Sequence, residues 1–357
     1  MDKIRIGFVG CGVASVLHIH ALKSVPNVQI LWFCDKNEIS AHRAMKLWGK
    51  EGTIGDDFER LLSDAKPNVI HVCTPPHTHA DFSISALKSG CHVLLEKPMA
   101  TTVEEAKRIL EARDCSGSEL CMMHNHMFDP PIQKMRRAVQ NGKLGELIYG
   151  EGQYFLDMEK MAQEHLDRPD HWVHTLKSGI AGEFMPHTIY LLQSFLGPCR
   201  ELQLMEETAR STPGEEYQRK SFAVQLRFRN AIGRILLIDC MPYGHFNIDL
   251  YGTRAAAHIN MMDLTFSIER IRGNLPLVAA RMGSTVEQSF QRMWQTLSNS
   301  VRIVTGQLKR RPGHRALIQT FYSAIRSGNP VPIPAEDGLA TVQTMVQLDR
   351  IITDRDR

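Results

Sequence analysis

The sequence predicts an α/β domain with a parallel, doubly wound sheet, followed by an α+β domain with a largely antiparallel open sheet. Three observations carry this reading. Apolar runs alternate with helix-period segments through the first 125 residues, a glycine-rich turn follows the first run, and after about residue 145 strand-like runs succeed one another with few helices between them. In order, Ile4–Val9 is apolar and Ala14–Ser24 helical, then Val28–Cys34 apolar and Ile39–Trp48 helical. Val69–Cys73 precedes the helical Ala80–Lys88, His92–Leu95 precedes Val103–Ala112, and Leu120–Met123 is a sixth apolar run. Strands buried on both faces of a parallel sheet read as continuous apolar runs, and these do.

Pro131–Gln140 reads as a connecting helix stopped at Asn141-Gly142. Beyond it, Leu147–Leu156, Ser221–Phe228, Ile232–Ile238, Phe246–Tyr251 and Ala255–Ile259 are strand-like, and His187–Leu196 has helical spacing. Val286, Phe290, Met293, Leu297, Val301, Val304 and Leu308 form one stripe on a helix of about 25 residues that leads to Lys309-Arg310-Arg311. Such a stripe is expected to pack on the second domain or on a subunit neighbour; a basic surface-binding helix over 286–311 is the lesser reading. Ala316–Ser327 is a further helix, stopped by Gly328 and Pro330. The division expected is a dinucleotide-binding domain at 1–125 and a substrate and oligomerisation domain at 126–357, with C-terminal helices able to pack back on the first.

The composition excludes several classes. With 357 residues, 43% apolar and 23% charged, the chain can bury a large core without covalent staples. A balance of 42 basic against 39 acidic residues gives no electrostatic footprint for nucleic acid. The eight cysteines include no CxxC, and those at 11, 34, 73 and 91 lie in or beside apolar runs, as small buried hydrophobes do in a reducing compartment. No apolar stretch reaches the length of a membrane span and the N-terminal residues lack a signal-peptide pattern, so a cytoplasmic location is expected.

Gly10-Cys11-Gly12-Val13-Ala14-Ser15 stands between the first strand and first helix. Gly10 permits the turn, Gly12 lets the backbone N–H groups around Val13 and Ala14 approach a pyrophosphate, and Ser15, in place of the usual Gly or Ala, is small enough for helix–strand contact. Asp35 ends the second strand, where a carboxylate holds ribose hydroxyls and repels a 2′-phosphate; this favours NAD over NADP, although Lys36 softens the repulsion. Taken singly, Asp35 also fits a solvated strand end. Cys73–His79 and Glu96-Lys97-Pro98 each follow a strand, at the edge where open α/β sheets bind ligands. Pro98 restricts Lys97, which suits a proton donor or acceptor but also fits an ordinary lysine after a strand.

Together with His18, Asn125–Pro130 and Gly252-Thr253, these motifs resemble the glucose–fructose oxidoreductase / inositol dehydrogenase / MocA family of NAD(P)-dependent sugar oxidoreductases. The resemblance implies a Rossmann domain, an open sheet whose face serves oligomerisation as a homodimer or homotetramer, and hydride transfer between nicotinamide and a carbinol or keto carbon of a sugar, nucleotide sugar or cyclitol. It implies cofactor contacts from Thr74, Pro75, His79, Glu96, Lys97 and Asn125. Lys97 and His187 become the catalytic and substrate-binding pair. Glu183 replaces the Asp of the family's D-x-G-x-H motif, Met185 replaces its Gly, and Tyr190 stands where an Asp often follows the His. The extra methylene of Glu183 displaces its carboxylate, and such displacement costs rate.

Arg168 and Trp172, in the polar stretch His165–His174, are candidate substrate residues, the first for an anionic group and the second for a sugar ring; a solvated connection fits equally. The HxH pairs at 18/20, 77/79 and 124/126 lack the further ligands that zinc requires, so no metal is expected. The altered Glu183 motif leaves room for a dinucleotide- or sugar-binding regulator, and an NAD enzyme outside carbohydrate metabolism is a third reading.

Overall fold

The structure is a computed structural model that describes residues 3–157, 173, 176, 178–208, 220–241, 243–270, 276–308 and 311–355. It has two compact units. The first comprises residues 1–128 and 313–346, the second 129–312 and 347–357.

The first unit is built on six parallel strands, β1 (Ile4–Val9), β2 (Val28–Cys34), β3 (Thr53–Gly55), β4 (Val69–Val72), β5 (His92–Leu95) and β6 (Leu120–Met122). Their order is β3-β2-β1-β4-β5-β6, the doubly wound arrangement with its switch point between β1 and β4. Five helices connect them: α1 (Val13–Leu22), α2 (Glu38–Trp48), α3 (Phe58–Ala65), α4 (His79–Lys88) and α5 (Val103–Ser116). Local chemistry sets their ends. Asn37 caps α2 by accepting from the N–H groups of Ile39 and Ser40, and Asp57 caps α3 through Arg60 N–H. Thr102 and Glu105 form a capping box on α5. β3 and α3 went unread in the sequence; three residues are too few to show a period, whereas α3 carries Phe58, Leu61 and Leu62 at helical spacing.

The core between the layers holds Phe8, Trp32, Phe33 and Ile70, all fully buried. The β6 edge is covered by the returning chain, where Met122 N–H donates to Ile333 O at 3.0 Å.

The second unit begins with α6 (Pro130–Gln140) and carries a seven-stranded sheet. Its strands are β7 (Leu147–Asp157), β8 (Glu201–Thr208), β9 (Lys220–Arg227), β10 (Ile232–Met241), β11 (His245–Gly252), β12 (Ala256–Asn260) and β13 (Thr265–Glu269). They lie in the order β13-β12-β11-β7-β10-β9-β8, antiparallel except for the β7–β10 pair. α7 (Ile180–Leu196) lies on one face of this sheet. A Cβ on Gly152 would stand 2.0 Å from the Thr188 methyl, so only glycine lets helix and strand approach this closely.

α8 (Leu277–Val304) runs beside the edge strand β13. Of the two packings expected for its apolar stripe, the one on its own domain is not found: Val286, Phe290, Met293, Leu297, Val301 and Val304 are exposed in the protomer. α9 (Pro312–Ser327) contributes residues 313–327 to the first unit, and α10 (Ala335–Arg355) runs from the first unit into the second. Among the described residues, no helix is long and apolar enough to cross a membrane.

Candidate active site

The carboxyl ends of β1, β2, β4 and β5 bring most of the candidate cofactor residues together. Gly10 has φ +84°, and a Cβ there would lie 2.6 Å from the backbone C and O of Cys73. The turn after β1 and the loop after β4 therefore touch at a position only glycine can occupy. Gly10 N–H donates to Cys34 O, and Ser15 Oγ, fully buried in the first turn of α1, donates to Gly12 O at 2.7 Å. The serine thus fills the close-contact position of the glycine pattern.

Asp35 is tied to the same turn. Its carboxylate accepts from Cys11 N–H at 2.7 Å and from Asn37 N–H at 2.8 Å. Lys36 is exposed beside it.

These residues fit a dinucleotide. Gly12 begins α1 without a side-chain cap, no acidic residue occupies the first turn, and a Cβ on Gly12 would meet no protein atom within 4 Å. The leading amides of α1, with Val13 and Ala14 in that turn, provide the N–H groups and dipole that hold a pyrophosphate. The Asp35 carboxylate stands next to them.

The loop after β4 is braced from inside. Within the loop Thr78 Oγ1 donates to Pro75 O and accepts from the Thr74 hydroxyl, both at 2.8 Å. His79 is fully buried between two carbonyls, Thr74 O at 2.7 Å from Nε2 and Pro98 O at 2.8 Å from Nδ1. It joins the β4 loop to the turn after β5, so its ring acts by positioning both loops. Burial lowers its proton affinity against the pull of the two carbonyls, and a neutral ring donates to one of them at a time.

Glu96 is 8% exposed. One carboxylate oxygen faces His18 Nε2 at 3.0 Å and the other accepts from Lys97 N–H at 3.1 Å. Burial pushes its carboxyl up, but the His18 bond and the charges of His18, Lys97 and His314 outweigh it and hold it at about 2. The chain of contacts continues inward: His18 Nδ1 to His71 Nδ1 at 2.8 Å, and His71 Nε2 to Tyr322 Oη at 2.7 Å on α9. Two proton arrangements satisfy every contact. In one, Tyr322 donates to His71, His71 to His18, and His18 to Glu96. In the other, a doubly protonated His18 donates to both neighbours and His71 donates to Tyr322. Both leave Glu96 an acceptor and His71 neutral. Burial and the field of His18 press His71 well below the usual imidazole value, in agreement.

This buried column fixes the carboxylate that holds the Lys97 backbone, and the Lys97–Pro98 peptide that follows is cis. Neither His71 nor Tyr322 was singled out in the sequence. The available signal was a histidine inside the apolar run Val-Ile-His-Val, since a polar group there requires a partner. Asn125 is buried in a short 3₁₀ turn after β6, beside His124, which burial lowers to about 3.

Glu183 and His187 lie four residues apart on α7 in the second unit and therefore share a helix face. His187 is 8% exposed and its Nδ1 meets Tyr190 Oη at 3.0 Å. Tyr190, three residues further along the helix, is thus a hydrogen-bond partner of the ring. Arg168 and Trp172 lie outside the described residues. Among those described, no cluster of three metal-ligating side chains occurs.

Residues 4–124 match the description "Oxidoreductase family, NAD-binding Rossmann fold", and residues 132–258 match "GFO/IDH/MocA C-terminal domain". The chain belongs to the Gfo/Idh/MocA oxidoreductase family, and its first unit is an NAD-binding Rossmann domain. Among similar proteins is a D-glucoside 3-dehydrogenase of Escherichia coli, 31% identical over 147 residues, 41% of this chain and 42% of that protein. A glycosyl hydrolase family 109 protein of Saccharopolyspora erythraea is 25% identical over 221 residues, 59% of this chain and 48% of that one. The alignments span less than half the length of either relative. The WlbA dehydrogenase of Bordetella pertussis, solved with NADH and UDP-GlcNAcA, shares the fold with a TM-score of 0.76 at 20% identity, covering 99% of this chain and 96% of that one.

Proposed function

We propose that this protein is an NAD-dependent dehydrogenase or reductase acting on a CH–OH group of a sugar, nucleotide sugar or cyclitol. The observation that carries the reading is the joined set of loops at the ends of β1, β4 and β5, in which a buried, ionised Glu96 holds the backbone N–H of Lys97. The dehydrogenase relative that acts on D-glucosides supports the substrate class. Bound NAD supplies the hydride acceptor. The chain's own residues handle the proton: as the carbinol C–H bond breaks and C=O forms, the hydroxyl proton passes to a base.

Lys97 is assigned to hold the reacting oxygen, and His187 to take the proton at Nε2, with Nδ1–H donating to Tyr190 Oη. In reduction the same groups return the proton. Asp35 is assigned to the adenosine ribose, with Thr74, Pro75 and Asn125 as further cofactor contacts; Arg168 and Trp172 are kept as substrate contacts. The glycosyl hydrolase relatives support a second reading, in which the glycosidic bond of a related sugar is cleaved.

Nicotinamide absorbance, followed over a panel of free sugars, glycosides and nucleotide sugars, tests the proposal. Wild type is expected to turn over at least one class. Lys97→Met is expected to lose at least about 1,000-fold in kcat/KM, of order 4 kcal/mol, while its NAD affinity stays within a few-fold. Full activity in that variant overturns the assignment. Tight NAD binding without turnover of any substrate favours the regulator, and release of free sugar from a glycoside favours the hydrolase.

A further inference from the structure

α8 is oriented against its own pattern. Its amide side chains face the sheet: Gln295 takes both Phe266 N–H (3.2 Å) and Phe266 O (2.6 Å), Gln291 accepts from Ile268 N–H, and Asn299 donates to Asp263 O and Leu264 O. These side chains stand in for a further strand on the β13 edge. The opposite side of the helix carries Val286, Phe290, Met293, Trp294, Leu297 and Val301, each at least 54% exposed.

We propose that this face pairs with the same face of a second copy of the chain. Three observations favour that occupant. The first is area. With the other exposed apolar residues of α8, the stripe offers on the order of 1,000 Å² of apolar surface, above the roughly 300–600 Å² patch that monomers leave open and matching the roughly 800 Å² a partner contributes to a stable interface.

The second is symmetry. The stripe steps by four, three and four residues from Val286 to Leu297, and an antiparallel two-fold between Met293 and Trp294 sets Val286 opposite the partner's Val301, Phe290 opposite the partner's Leu297 and Met293 opposite the partner's Trp294. The surface is complementary to itself.

The third is charge. The four charged residues of the helix, Arg281, Glu287, Arg292 and Arg302, do not interrupt the stripe, and Arg292 donates to Ser267 on the sheet side. An interface core is depleted of charge in this way.

The test uses the full chain with and without NAD. Sedimentation equilibrium is expected to give a dimer or a multiple of it, and the double variant Phe290→Glu, Leu297→Glu to halve the mass with its circular dichroism unchanged, because both side chains are exposed in the protomer. In a Cys115→Ser background, Met293→Cys is expected to form a covalent dimer under mild oxidation and Val278→Cys is not, since the antiparallel pairing carries residue 278 away from its copy. A monomeric wild type, or a double variant of unchanged mass, overturns the proposal. Flotation of wild type but not of the double variant with phosphatidylserine/phosphatidylcholine vesicles, in the absence of a dimer, assigns the face to a lipid surface and also overturns it.

Discussion

The two sheets solve the problem of polar side chains in opposite ways. In the first, β4 is buried along its whole length, and His71 inside it survives only because His18 and Tyr322, themselves buried, complete its hydrogen bonds. In the second, burial alternates, as on β11 and β12, and polar groups crowd the side away from α7. Glu151 there accepts from Arg234, Gln153 and Tyr149, and His258 sits between Asp249 and Glu269, with water within reach. A doubly covered sheet makes each polar group an obligation of the fold, whereas a half-open sheet tolerates its loss.

Acid sharpens the contrast most. Burial holds His71 and His124 below the ordinary imidazole value. Folding therefore excludes protons that the unfolded chain binds below about pH 6.5, and stability falls with pH by about 1.4 kcal/mol per unit for each ring. Glu96 acts in the same direction lower down: its contribution is complete above the unfolded carboxylate value of about 4.5 and is lost as pH drops toward about 2. His258 has the opposite sign. Its bond to Asp249, opposed by burial, raises it, so its contribution is whole below about pH 6.5 and lost as pH rises through the folded value. From pH 7 to 5, amide protection factors, which take out the intrinsic pH dependence of exchange, are expected to fall in β4 and β5 before β11 and β12. The reverse order breaks the comparison.

Gly10→Ala is expected to cost about 2–4 kcal/mol in urea unfolding, from its positive φ and the contact with Cys73, and to abolish NAD binding. Gly12→Ala is the sharper partner: stability within about 0.5 kcal/mol, with weakened NAD binding, because the added methyl meets no protein atom. Equal stability loss in both would show that the turn is not what distinguishes them.

Tyr322→Phe leaves His71 Nε2 facing an apolar ring and is expected to cost about 1–3 kcal/mol by thermal unfolding. A loss under about 0.5 kcal/mol would remove the column from the account of the first unit. Arg234→Ala, by contrast, removes a pair whose arginine is 40% exposed, and is expected to cost under about 1 kcal/mol and less in high salt.

Much of this was legible before the fold. The alternation of periods located all the first unit's longer strands, and the positions of Gly10, Gly12, Ser15, Asp35, Glu96 and Lys97 at or just after strand ends were readable because each depends on its immediate neighbours. β8, β13 and α10 escaped notice, the first two for their mixed polarity. The partnership of His71 with Tyr322 escaped because 251 positions separate them. Arg113–Glu336, which fastens α5 to α10, was hidden by the same kind of separation.

What the sequence determined alone is whatever local sterics and periodicity control: which segments are strands or helices, where a turn demands glycine, and which residue types gather behind each strand. Tertiary structure alone decided which side of each element faces inward. α8 marks that boundary, because a helical stripe has the same spacing whether it is turned toward a sheet or away from it, and only the amides anchored on β13 choose between the two.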